Sequence, residues 1–209
     1  MTYTKINGSR TYVLRHIEMF AALCFDKCVF CNIFVAFVII NDMEYGKLVL
    51  DRYSCRKLTD APVEQEKIDY IIRCATSAPT AVNYQPVRIW VAKSDESKRC
   101  IAESTRFTFG AGVFMVVGAK ADGAWVRPAD SENFAVVDAS IVATQLMLAI
   151  HDCGLRSTWV GKFDPQVLKA AFPEMKDYNL IAIFPIGYPA PDAEPSDRHS
   201  QRKDIVAEI

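Results

Sequence analysis

From Phe134 to Cys153 the chain reads as one long helix, apolar on almost every face and closed by Gly154 as its C′ residue. A helix of this kind cannot rest on a surface. It must be buried all round, either centrally in a domain or between subunits. Any fold open to this chain therefore has to wrap residues 134–153, and the flanking elements are read as their cover.

Those elements alternate in type. Ordinary helix composition runs from Met43-Glu44 into Asp51, and the turn signal Thr59-Asp60-Ala61-Pro62 follows. Ile68, Ile71, Ile72 and Ala75 recur at helical spacing, so Val63–Ser77 is predicted as an amphipathic helix ended by Ala78-Pro79. Val87–Ala92 reads as a strand and Gly112–Ala119 as a buried strand, followed by a polar loop over 120–133. Ser157–Val160 reads as a short strand. Asp164-Pro165 is an N-cap and first helical position for a helix that stops at Pro173. Leu180–Ile186 is the last strand, expected to break at Pro185, and from Gly187 the chain is rich in proline and charge. No internal repeat and no linker divides residues 43–209.

Charge and cysteine usage exclude several functions. The formal net charge is −1, which creates no field for nucleic acid or an acidic membrane surface. The three histidines, His16, His151 and His199, lie far apart, which argues against a histidine-rich metal site. His151 reads as a satisfied helix-end residue. Seven cysteines is an odd count, with Cys55, Cys74, Cys100 and Cys153 scattered. That pattern suits a reducing, cytoplasmic setting and not a disulfide framework.

Residues 1–42 differ from the rest. Met19–Ile40 is apolar nearly throughout but interrupted by Asp26, Lys27 and Asn32. An Asp-Lys pair near a bilayer centre is costly, so membrane contact through 19–40 is the lesser reading. An extension outside the functional domain is preferred. The spacing Cys24-x3-Cys28-x2-Cys31 is similar to the cluster loop of radical S-adenosylmethionine enzymes. Those enzymes need a barrel of repeated strand–helix units that the following residues do not supply, so the spacing is read as accidental.

Chemistry concentrates elsewhere. In Arg52-Tyr53-Ser54-Cys55-Arg56 an extended backbone would point residues 52, 54 and 56 to one side. Two guanidiniums flanking a hydroxyl suit a phosphate or another planar anion, although taken alone such a run is more often a solvated surface. The loop Ala78-Pro79-Thr80-Ala81-Val82-Asn83-Tyr84-Gln85-Pro86 holds a hydroxyl and two amides between prolines. It can present fixed hydrogen bonds to a ligand or simply cap backbone groups. No nucleophile–base pair is evident, which argues against acyl transfer or hydrolysis.

Taken in order, Arg52-x-Ser54-x-Arg56, the Pro79–Pro86 loop, Asp138 opening the apolar helix, Gly154-Leu155-Arg156-Ser157-Thr158-Trp159-Val160-Gly161, and Gly187-Tyr188-Pro189 form a set. Over about residues 43–209 this set resembles the nitroreductase family of FMN-dependent NAD(P)H oxidoreductases. The tail Arg198-His199-Ser200-Gln201-Arg202-Lys203 resembles a small subgroup of it.

The resemblance implies an α+β fold, with an antiparallel-rich central sheet flanked by helices, in an intertwined homodimer with FMN at the interface. It implies that Arg52, Tyr53, Ser54 and Arg56 hold the flavin. Arg52 and Ser54 would face phosphate and ribityl, and Arg56 the N1–C2 edge. Pro79, Thr80, Ala81 and Asn83 match a loop supplied by the other subunit. Val160, Gly161 and Lys162 match backbone near flavin N5, and Arg202, with Arg198 or Lys203, the phosphate-binding base. Two departures stand out. Val87 occupies a position that is often tryptophan, and no counterpart of a ring-contacting asparagine–lysine pair is found among Ser104, Thr105 and Arg106.

The implied activity passes a hydride from NAD(P)H through flavin N5 to an electron-poor small molecule such as a nitroaromatic or quinone. The alternatives are a dehalogenase or flavin-destroying enzyme of the same superfamily, and a flavin-binding redox sensor with little turnover.

Overall fold

The computed structural model describes residues 45–209. The extension 1–42, with its apolar run 19–40 and Cys24, Cys28 and Cys31, lies outside the described residues. Five helices are present among them: α1 (Tyr45–Asp51), α2 (Gln65–Thr76), α3 (Asp95–Ser104), α4 (Ala135–Asp152) and α5 (Pro165–Ala171). The strands are β1 (Val87–Ala92), β2 (Val113–Ala119), β3 (Arg156–Ser157) and β4 (Asn179–Gly187). They form one antiparallel sheet in the order β1-β2-β4-β3.

β2 is buried at every position, and its alternating side chains feed two cores. Val113, Met115 and Val117 join Ile68 and Ile71 of α2 and Val142, Leu146 and Ile150 of α4. Phe114 and Val116 face the other way, with Ile101 of α3 and Leu168 of α5. The period of two along a strand thus makes the domain three layers, helices on both sides of the sheet.

α4 departs from the expected all-round burial. Ala135, Asp138, Ala139, Val142, Ala143, Leu146 and Ile150 are buried, but Val136 stays 46% exposed, Val137 40% and Ile141 38%. One chain covers a single face of this helix. Its end is as expected: Gly154 takes φ +82°, Leu155 N–H donates to Ile150 O and Gly154 N–H to His151 O. These are the two bonds of a Schellman motif.

The strand expected over Ser157–Val160 is split, and the expected break at Pro185 does not occur in β4. One cause serves both. Ile183 and Val160 exchange backbone bonds at 3.0 Å each way, and Ser157 pairs with Ile186. In that register Thr158 falls opposite Pro185. The N–H side of residue 185 faces β3, like that of residue 183, so the missing donor interrupts β3 and leaves the β2–β4 pairing of Phe114 with Pro185 in place; the register shift of that ladder lies elsewhere, between Val117 and Gly118. The helix α3 has no counterpart in the sequence reading. Its start carries a capping signal, Ser94, whose side chain accepts from Ser97 N–H.

Candidate functional site

Residues 52–56 are extended. Ser54 pairs in parallel with Ser157, and Cys55 N–H donates to Ser157 O at 3.0 Å. Cys55 is fully buried, which turns its even-numbered neighbours to the opposite side. Over that side folds the tail, held by Lys57 on Asp192 at 2.5 Å and by Tyr53 Oη donating to Ala193 O at 3.3 Å. His199 Nε2 lies 3.1 Å from Leu50 O, and its ring meets Tyr53 edge-on.

The two segments enclose a cavity of about 240 Å³, lined by Arg52, Tyr53, Ser54, Arg56, Ser196, Arg198, His199 and Arg202. Among the described residues four arginines and two serines line it, and no carboxylate residue does. Among the described residues none of these arginines is ion-paired. Their bonds within the protein are few. Arg56 Nη1 donates to Ser54 O at 3.2 Å, Arg202 Nη1 to Gln201 O at 2.8 Å, and Arg52 Nη1 approaches Met147 Sδ at 3.9 Å. Burial, and then the Arg202 charge, hold Arg52 below its ordinary pKa. Positive charge is concentrated here without internal compensation, which is the donor set for an anion with several acceptor oxygens. The volume is below the roughly 300–1,000 Å³ of whole-ligand pockets, and suits a phosphate with part of its attached chain.

Of the residues expected at the site, Arg52, Tyr53, Ser54, Arg56, Arg198 and Arg202 meet in this cavity, and Lys203 does not line it. Ser196 and His199 do line it, and neither was expected there. Val160 is buried and paired with Ile183, whereas Lys162 lines a separate open groove of about 680 Å³ with Ser104, Thr105, Arg106, Phe107 and Phe163. Thr105 Oγ1 donates to Lys162 O at 2.7 Å and Asp164 N–H to Ser104 O at 2.8 Å, which ties the two walls together. Ser104, Thr105 and Arg106 therefore sit beside the Val160–Lys162 segment.

The Pro79–Asn83 loop is absent from the lining of both cavities. It forms a 3-10 turn at Ala81–Asn83 with two non-glycine residues at positive φ, Val82 at 52° and Asn83 at 57°, and Gln85 just beyond it takes 53°. Such residues cost about 1–3 kcal/mol each and persist only where their surroundings enforce them. Here Asp138 Oδ1 accepts from Ala81 N–H at 2.8 Å and Thr80 Oγ1 from Gln85 N–H at 3.1 Å. Val82 and Tyr84 project outward, 63% and 56% exposed.

Behind the 52–56 segment His151, expected to be satisfied, is buried with Nδ1 unpartnered among the described residues. Arg156 Nε and Ser157 Oγ are likewise buried without partners. Burial, and then the neighbouring Arg156 charge, push His151 down to about 4, so it is neutral at pH 7.

The family model described as the Nitroreductase family matches residues 49–106 and 102–188. A nitroreductase family protein from Clostridium difficile 630, solved as a crystal structure, is 31% identical. The match covers 78% of this chain and 95% of that one, with a TM-score of 0.72. An FMN reductase [NAD(P)H] from Bacillus subtilis is 28% identical over 165 residues, 70% of this chain and 66% of its own. A crystal structure in complex with FMN, of an Exiguobacterium sibiricum protein provisionally named a nitroreductase, shares the fold. Its TM-score is 0.65 at 21% identity, over 74% of this chain and 92% of that one.

Proposed function

Because the chain belongs to the nitroreductase family, we propose that its arginine cavity holds the phosphate of FMN and that the protein is an FMN-dependent NAD(P)H oxidoreductase. The observation that carries this reading is the cavity itself: Arg52, Arg56, Arg198 and Arg202 with Ser54 and Ser196, and no lining carboxylate among the described residues. When bound, FMN supplies two-electron chemistry that links NAD(P)H to an electron-poor acceptor such as a nitroaromatic or quinone.

This chain's residues bind and orient. Arg52, Arg198 and Arg202 neutralise the phosphate, and Ser54 and Ser196 donate to phosphate or ribityl oxygens. Arg56 is assigned to the N1–C2 edge, where a guanidinium favours the negative charge that accompanies reduction. The backbone of Val160, Gly161 and Lys162 is assigned to the N5 edge. Pro79, Thr80, Ala81 and Asn83 are assigned to the FMN of a second copy, since they lie outside the arginine cavity of their own chain. A homodimer is supported by the open apolar face of α4 and by the exposed Ile205, Val206 and Ile209 of the tail. The described cysteines are all free, which supports a reducing, cytoplasmic setting.

The test is to denature purified protein and identify the released cofactor. Bound flavin is then bleached with NADH or NADPH and restored with a nitroaromatic. FMN, rapid bleaching and recovery are expected; FAD, or no uptake of excess FMN, would refute the reading.

A further inference from the structure

We propose that Asp138 is the positioning residue that sets the Pro79–Gln85 loop in its ligand-binding shape. The proposal rests on the assignment of this loop to FMN. Asp138 stands in the first turn of α4, is 1% exposed, and touches the loop through one bond, from Ala81 N–H to Oδ1 at 2.8 Å. That bond sits one residue before Val82, whose φ of +52° is an outlier for a β-branched side chain. Left to itself the segment would relax towards negative φ, and Asn83 would turn with it.

Among the described residues nothing buried holds the loop from its outer side, where Val82, Asn83 and Tyr84 are exposed. The other loop bonds, Gln85 N–H to Thr80 Oγ1, Gln85 Nε2 to Asn83 Oδ1 and O, and the backbone bonds of Asn83 N–H to Thr80 O and Tyr84 N–H to Ala81 O, lie within the loop and cannot place it on the core. Asp138 alone links its turn to a fixed element by a side-chain hydrogen bond among the described residues. Oδ2 of the same carboxyl is buried without a partner, so the group spends its bonding capacity on the loop and not on its own helix. The rigid helix that forms the domain core thereby dictates how Asn83 is presented.

The experiment compares Asp138→Ala, Asp138→Asn and the double variant Asp138→Ala/Val82→Gly with the unaltered full chain. FMN dissociation constants are read by fluorescence, and hydrogen exchange of residues 79–85 is followed without FMN. Asp138→Ala should weaken FMN by roughly tenfold or more, about 1.4 kcal/mol, and speed exchange of the loop. Asp138→Asn keeps an acceptor and should stay near the parent. Glycine adopts positive φ freely, so Val82→Gly should restore most of the lost affinity in the Asp138→Ala background.

A carboxyl that mattered only for folding would not be rescued by a glycine in the loop, and failure of that rescue overturns the proposal. So does unchanged exchange in Asp138→Ala. Ala81→Pro removes the donor instead of the acceptor, and the extended Thr80 before it tolerates proline. It decides the matter if Asp138→Ala does not fold, and unchanged FMN affinity in it counts against the proposal. Absence of FMN binding by the parent chain would refute the cofactor reading, while the exchange data would still decide what holds the loop.

Discussion

Replacing Arg202 by alanine should weaken FMN binding while leaving the fold intact. Arg202 is exposed, lines the arginine cavity, and among the described residues is bonded only to the carbonyls of His199 and Gln201. Its loss removes one charge-assisted contact to phosphate, about 2 kcal/mol, or roughly thirtyfold in affinity. It also removes one positive charge beside Arg52, whose pKa is lowered first by burial and then by Arg202, so the protein without FMN should be no less stable. Binding stabilises by RT ln(1 + [L]/Kd). With FMN at about 100 times the parent Kd this is about 2.7 kcal/mol for the parent and about 0.9 for the variant. For a domain of this size the difference lowers the FMN-loaded thermal midpoint by about 4–7 °C, with no fall in the flavin-free midpoint. Fluorescence titration and paired melts measure both. Lys203→Ala is the control, because Lys203 does not line the cavity. A Kd within threefold of the parent for Arg202→Ala, or equal losses for the two variants, would refute the phosphate assignment.

Arg56→Ala should lower the flavin reduction potential and slow reduction by NAD(P)H while changing affinity less than Arg202→Ala; spectroelectrochemistry and stopped-flow traces check this. Ile141→Lys, on the open face of α4, should yield monomers by sedimentation and lose flavin with them. His151 is held near 4 when folded against an ordinary value of 6.5, so the unfolded state takes up its proton first. Stability should be full above about 6.5 and fall as pH drops towards 4, and His151→Gln should flatten that part of the melting profile. A chain starting at Met43 should fold, bind FMN and turn over like the full chain; loss of flavin occupancy or thermal midpoint on truncation would make residues 1–42 part of the enzyme.

The regular elements were legible wherever one local signal dominated. β1 occupies Val87–Ala92 as read, and α5 follows its Asp164-Pro165 cap. α4 was found by its apolar run, but its exposed face was not, because composition cannot say which turns of a helix a single chain covers. α3 escaped because its sequence, DESKRCIAES, holds few apolar residues and its Ser94 cap went unused. Pro185 misled because the effect of a missing N–H depends on which neighbour it faces, and that requires the strand order. At the site, the alternation of Arg52, Ser54 and Arg56 could be read directly. Ser196 and His199 could not, since irregular turns carry no period from which to place a side chain.

The arginine cavity joins residues 52–56 to residues 196–202, and His199 anchors the second group on Leu50. This has a consequence for biosynthesis. The ribosome adds residues at about 5–20 per second, and the strands, both cores and α4 are encoded before Ser196 is translated. On the proposed placement of FMN, a chain that stops before Ser196 would hold all four strands and both cores but only half of the cavity. A message truncated there should therefore yield a folded product that free FMN does not restore.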